Sequence, residues 1–209
     1  TCGNVPWAAS NDGDVAALAG AVSLGRRKLL GIALGTSEAG GYVDRDMNIT
    51  GWLNELAFAP VDFNRGAMVD EWSGDWGCGV KYFSQDGVIK LAPAAGIALE
   101  ESLSPAEKLK RVQQEMAAGN PMAAKIYESI GAYFGYSIAW YSRFYVIDHV
   151  LIMGRVTSGE GGALLLRTAQ AVLDAEFPEL AARVTLHIPD ENSRRVGQSV
   201  AAASLPDIG

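Results

Sequence analysis

At 209 residues the chain can bury a sizeable core, as one large domain or two small ones. Its 49% apolar and 20% charged residues exclude disorder, and a net charge of −7 argues against a phosphate-backbone partner, which needs a basic face. Two cysteines, Cys2 and Cys78, are too few for a disulfide framework, and no apolar run reaches the roughly 18–20 residues of a membrane helix. A cytoplasmic protein with reduced thiols is expected. The opening TCGNVPWAAS is neither a signal peptide nor a natural start, so a piece of a longer protein is expected.

Val15, Leu18, Ala19 and Val22 recur at helical spacing, which predicts a helix from about Asp14 to Leu24 with Asn11 or Asp12 as N-cap and Gly25 as its end. Arg27–Leu34 reads as a strand, Gly40–Asp44 as its antiparallel partner, and Asp46–Asn48 as a turn into Ile49–Leu53. Residues 59–76, with Pro60, Gly66 and the tryptophans of DEWSGDWGCG, read as loop. Helical patterns follow over Lys81–Leu91, Pro105–Ala118 and Pro121–Phe144. Ser104-Pro105 and Asn120-Pro121 mark two of their starts. In the longest, Ile126, Ile130, Tyr133, Phe134, Ile138 and Tyr141 form a broad apolar stripe suited to a buried helix. HVLIM is a short apolar run of the parallel-strand kind, GEGGALLLRTAQAVLDAEF a helix, RVTLHI a strand and SRRVGQSVAAASL a closing helix. The fold class is therefore α/β with a mixed sheet: an antiparallel hairpin, then helices, then a C-terminal βαβα unit.

Four segments have residues suited to chemistry, each beside a plainer reading. SNDGD (Ser10–Asp14) is a polar cap cluster, or a carboxylate beside an Asn able to deprotonate a hydroxyl. GTSEAGG (Gly35–Gly41) is a glycine-permitted hairpin, or a small turn offering N–H groups and a hydroxyl to an anion. In GWLNELAF, Asn54 and Glu55 sit among apolar residues and must find partners, which a polyhydroxy ligand can supply. MGRVTSGEGG (Met153–Gly162) is a short βα loop, or the strand-to-helix turn where open sheets bind ligands. His149 and His187 stand alone and read as packed, and no metal motif is present.

Taken in order, NDGDVAAL, a strand ending in Gly-Thr, a Gly-Gly-Tyr-Val return, the Asn-Glu-Leu segment, a glycine-rich loop near Cys78 and a late LIMGRVTSG turn resemble the C-terminal half of a ROK-family sugar kinase. That family has the ribonuclease H-like fold of actin-like ATPases. The resemblance runs from Asn11 to about Leu205. It implies that Asp12 is the catalytic base on the hydroxyl being phosphorylated, with Asn11, Asn54 and Glu55 binding the sugar. It implies that Gly35, Thr36, Gly154 and Thr157 flank the nucleotide and that ATP and Mg are the cofactors, while the acidic charge and the lack of a long apolar run lead to the expectation of no nucleic acid or membrane bound through this domain. Family members are often dimers or tetramers, so a homo-oligomer is expected by resemblance.

Departures from the family pattern are specific. Phe58 stands where the family has a His, GDWGCGVKY keeps only Cys78 of a cysteine-rich zinc loop, Glu38 enters the phosphate turn and Arg155 replaces a glycine beside the adenosine. Glu38 is expected to repel a triphosphate, and Arg155 to narrow the adenosine site or contact phosphate. The family's N-terminal phosphate-loop domain has no counterpart here, so the isolated chain is expected to be nearly inactive. Two rival readings are a sugar-sensing regulator without catalysis and an assembly subunit using Trp52, Trp72, Trp76 and Trp140 as an interface.

Overall fold

The computed structural model describes residues 11–50 and 52–189. Helix α1 (Asp12–Leu24) starts at an Asn11 N-cap, whose side chain accepts from the Gly13 N–H, and ends at Gly25 in the left-handed region. Its buried stripe is Asp14, Ala17, Leu18 and Ala21, whereas Val22 of the expected stripe is exposed. Strand β1 (Leu29–Leu34) begins two residues later than predicted because Lys28 has φ 49°, which no extended strand accommodates. Strand β2 (Glu38–Val43) ends at Asp44, whose carboxylate accepts the N–H groups of Asp46 and Asn48 and turns the chain. Beyond that turn Ile49 makes only a single bridge to Val43.

The loop that follows is tied by bridges between Pro60 and Cys78 and between Val69 and Trp76. Helix α2 (Gln85–Leu91) starts later than the sequence pattern predicts. Gly79–Lys81 forms a 3-10 turn instead, and Ser84 caps the helix proper. Helices α3 (Pro105–Ala117) and α4 (Pro121–Tyr141) start at Ser104 and Asn120, as their Ser-Pro and Asn-Pro pairs predict, and Ser104 with Glu107 completes a capping box. Strand β3 (His149–Met153), α5 (Glu160–Glu176), the short α6 (Pro178–Ala181) and β4 (Thr185–His187) complete the described chain. The closing helix expected over SRRVGQSVAAASL lies outside the described residues.

The sheet is mixed and four-stranded, in the order β2-β1-β3-β4, with β1 antiparallel to β2 and parallel to β3, and β3 parallel to β4. One face, carrying Leu30, Ile32, Leu34, Tyr42, Val150 and Ile152, packs on α2–α5. The other, carrying Leu29, Val43 and Leu151, packs on Ala17, Leu18 and Ala21 of α1. Burial on both faces explains why HVLIM is continuously apolar.

Helix α1 lies unusually close to the sheet. A Cβ at Gly13 would meet the Gly40 carbonyl, and one at Gly41 would meet the Gly13 carbonyl. The start of α1 is therefore in backbone contact with the middle of β2, which no side chain at these positions allows. Gly41→Ala should lower stability by about 1–3 kcal/mol through overpacking. Gly66→Ala, at a site with no atom within 4 Å of the added methyl, should change it by less than about 0.5 kcal/mol. Urea unfolding of both variants checks the contrast.

Candidate functional site

The contact of α1 with β2 brings three sequence segments to one corner. Asp14 is buried, and its Oδ1 accepts from Asn54 Nδ2 at 2.8 Å. Asn54, also buried, accepts in turn from the Tyr145 hydroxyl at 2.9 Å, and its Nδ2 also reaches the Trp52 carbonyl at 3.3 Å. Burial raises the Asp14 pKa, and the hydrogen bonds from Asn54 and the Tyr42 backbone partly offset this. Rings of Tyr42, Trp52 and Tyr145 roof the network, with the Tyr42 and Trp52 centroids 6.3 Å apart and nearly parallel, and the Tyr42 hydroxyl donates to the Val146 carbonyl. This chain of bonds holds the start of α1 against the Trp52–Leu56 segment.

Around that buried link the expected sugar residues are displayed. Asn11 and Asp12 are exposed at the head of α1, and each side-chain Oδ1 accepts from the Gly13 N–H at 2.9 Å. Glu55 is exposed, next to buried Asn54. Asn54 thus serves as a strut with both ends of its amide engaged. Phe58 is 38% exposed and lies against Trp72, ring centroids 5.8 Å apart.

A second corner forms where β1 and β3 end. Gly154 has φ 101°, and a Cβ there would strike the Leu34 carbonyl, so only glycine lets the β3 turn pass the end of β1. That contact sets Gly154 beside Gly35 and exposed Thr36. Gly35 is committed within the fold: its N–H donates to the Ser37 carbonyl and its own carbonyl accepts from the Gln85 N–H. Thr157 is buried, with Oγ1 donating to the Gly154 carbonyl at 2.9 Å, so it shapes the turn. Arg155 is exposed there. The corners lie on either side of the Glu38–Gly40 stretch of β2.

The structure corrects the expectation for Glu38. Its side chain is buried on the helix-covered face beside Gly79, away from the turn, so it does not oppose an anion at Thr36. Neither carboxylate oxygen has a hydrogen-bond partner, and complete burial pushes its pKa up to about 8. The histidines are also not solitary: His149 Nδ1 and His187 Nε2 lie 3.1 Å apart across β3 and β4. Burial and nearby positive charge lower both pKa values, which suits one shared proton between two neutral rings.

Sequence reading missed two further features. Asp14 heads the true buried stripe of α1, a position that a helical wheel begun one residue earlier would have revealed. Lys81, 3% exposed, meets Glu71 at 2.6 Å, Asp86 at 3.1 Å and Asp70 at 3.5 Å. Burial alone would lower the lysine pKa, but hydrogen bonds to Glu71 and Asp86 raise it, and the same contact holds the Glu71 carboxyl down to about 2. One ammonium thus pins the tryptophan-bearing loop to the start of α2. Trp52, Trp72, Trp76 and Trp140 are all exposed.

No family model matches the chain, and no curated protein does. Solved structures with the same fold do. A ROK family transcriptional regulator, a homologue of the E. coli MLC protein, matches 93% of this chain and 51% of its own, at TM-score 0.68 and 18% identity. A ROK glucokinase from Streptomyces griseus, in complex with glucose and AMPPNP, matches 95% of this chain and 66% of its own, at TM-score 0.68 and 15% identity. A ROK hexokinase from Thermus thermophilus matches 92% and 63%, at TM-score 0.66 and 16% identity. The chain thus shares the α/β fold of ROK sugar kinases and a ROK regulator, and spans about half to two-thirds of their length. Among the described residues no helix is long and apolar enough to cross a membrane.

Asn54→Leu leaves the Asp14 carboxylate and the Tyr145 hydroxyl buried without their partner, so it should cost about 2–3 kcal/mol by urea unfolding. Asp14→Asn should cost less, because an amide can still meet Asn54. Glu38 supplies a pH test. The folded chain keeps its proton up to about pH 8 while the unfolded chain loses it near 4.5, so this group's contribution falls as pH rises between those values. Glu38→Gln has no such proton to lose, and its stability relative to the parent should rise by on the order of 1 kcal/mol per pH unit across that window. Parallel denaturation curves at pH 5, 6, 7 and 8 read the slope.

Proposed function

We propose that this chain is the C-terminal, sugar-holding domain of a ROK-type hexose kinase with a ribonuclease H-like arrangement, acting with a further phosphate-loop domain. The observation that carries this reading is the Asp14–Asn54 hydrogen bond, because it joins the two segments whose exposed polar residues suit a polyol. A hexose hydroxyl would lie at Asp12, whose carboxylate accepts the hydroxyl proton as the oxygen becomes nucleophilic. Asn11 and Glu55 would hold the flanking hydroxyls, and the indole of Trp52, 55% exposed, would give the ring an apolar wall.

The second corner fits a nucleotide's phosphates in part. Thr36 offers an exposed hydroxyl and Arg155 an exposed guanidinium, while buried Glu38 adds no repulsion at the surface. Gly35 carries no side chain to obstruct approach, Gly154 lets the β3 turn pass the end of β1, and Thr157 supports that turn from inside. MgATP, when bound, supplies the phosphoryl group and the divalent charge that screens it. The chain's own part is to orient the sugar, take the proton and contact the phosphates. Taken alone it should be nearly inactive, since the geometry for transfer needs both sides of a cleft.

A sensor without catalysis is the second reading. Phe58, lodged against Trp72 where the resemblance calls for a histidine, favours it. Calorimetry of the chain with a hexose panel and with MgATP separates the two: the kinase reading expects binding of both, the sensor reading sugar alone. In a protein carrying both halves, Asp12→Asn should lower kcat by at least about a hundredfold while leaving sugar affinity within about threefold. An unchanged kcat would remove Asp12 from the mechanism.

A further inference from the structure

A cavity of about 440 Å³, which shares no lining residue with either corner, opens between the Pro60–Asn64 segment and the face of α4 that carries Tyr133, Tyr136, Ser137 and Trp140. Its size is that of a small-ligand pocket. Three of its aromatic rings are exposed: Phe63 at 80%, Tyr136 at 50% and Trp140 at 42%. Several of the rings are braced from behind. Trp140 packs edge-on against Phe144 at a centroid distance of 5.0 Å, Tyr136 against Phe177 at 5.9 Å, and Tyr133 against Tyr82 at 4.8 Å. The α4 wall of Tyr133, Tyr136 and Trp140 is therefore set before any ligand arrives, which lowers the entropic cost of binding.

The cavity also contains an uncompensated charge. Asp62 is 9% exposed, and its Oδ2 accepts from the Tyr82 hydroxyl at 2.6 Å and the Tyr133 hydroxyl at 3.0 Å. Its Oδ1 accepts from Asn64 N–H at 2.9 Å and Asn64 Nδ2 at 2.7 Å. Burial raises the Asp62 pKa, but these donors outweigh it and hold the carboxyl below its ordinary value, so it is ionised. All of these donors are neutral. They stabilise the negative charge and cancel none of it. Among the described residues no Lys or Arg pairs with Asp62, and no cationic side chain lines the cavity. The contrast with Asp70, Glu71 and Asp86, which share the Lys81 ammonium, is direct.

We propose that this cavity is a second ligand site, which binds a small alkylammonium cation between the rings of Phe63, Tyr136 and Trp140 within the field of Asp62. Aromatic faces and a buried anion attract a cation without requiring a hydrogen bond from it. Around Asp62 little hydrogen-bonding capacity is left over. The acceptor positions of Asp62 are taken by its donors, and the Ser137 hydroxyl donates back to the Tyr133 carbonyl within α4. A carbohydrate, which needs several polar partners, finds the Asp62 carboxylate already saturated. A fully alkylated ammonium needs none and is well served. This site stands independently of the proposed sugar site.

Calorimetric titration of the 209-residue chain with choline, in salt-matched buffer, tests the proposal. It should show saturable 1:1 binding. The neutral isostere 3,3-dimethylbutan-1-ol should bind at least about tenfold more weakly, because it keeps the shape and loses the charge. Trp140→Leu and Phe63→Leu should each weaken choline binding about fivefold or more, and Phe63→Leu, at a ring 80% exposed, should do so with an unchanged unfolding midpoint. Asp62→Asn should abolish it, and the two ring variants carry the test if that variant folds poorly. Absence of saturable choline binding, equal affinity for the alcohol, indifference to both ring substitutions or displacement of choline by glucose would each overturn the assignment.

Discussion

Asp14 is a carboxylate buried at the head of a helix, and its desolvation is tolerable only because Asn54 donates to it from forty residues further along the chain. That bond depends on an equally demanding contact, the seating of Gly13 on Gly40 and Gly41 without an intervening side chain. Together they set where α1 begins relative to β2 and the Trp52–Leu56 segment. The exposed Asn11, Asp12 and Glu55 have a common location only through that buried arrangement. Tyr145 extends the link to the chain between α4 and β3. The corner is thus assembled from the head of α1, the Trp52–Leu56 segment and Tyr145, against β2.

Polar burial elsewhere in the molecule is handled in three chemically different ways. Lys81 is surrounded by opposite charge and closes a loop. Asp62 is surrounded by neutral donors and keeps its charge, which leaves a field with no counter-ion inside the fold. Glu38 has neither kind of partner and keeps its proton instead. Removing a partner at the first two should expose a charge, whereas the third responds to pH.

Local signals carried much of the architecture. Ser104-Pro105 and Asn120-Pro121 marked helix starts because capping is decided within one turn, and HVLIM read as a buried strand because both its faces meet apolar layers. Failures fell where a residue's fate depends on distant neighbours. Glu38 read as part of a surface turn, yet strand alternation from Tyr42 and Gly40 turns it inward. Lys28 shortened β1 through a backbone angle that composition does not betray. The two histidines looked solitary because their pairing spans separate strands. For the candidate site, motif order brought Asn11, Asp12, Asn54 and Glu55 to attention, but not that Asn54 is a strut, that Asp14 is its partner or that Thr157 faces inward. Those roles follow from packing that only the folded chain displays.

The central claim is that the head of α1 and the Trp52–Phe58 segment form one sugar-contacting unit joined through Asn54. Amide hydrogen exchange on the chain with and without a saturating hexose tests it most directly. The account predicts that exchange slows together over residues 12–15 and 52–58, and that Asn54→Leu uncouples the two. Slowing confined to one segment, or found only elsewhere in the chain, would contradict it.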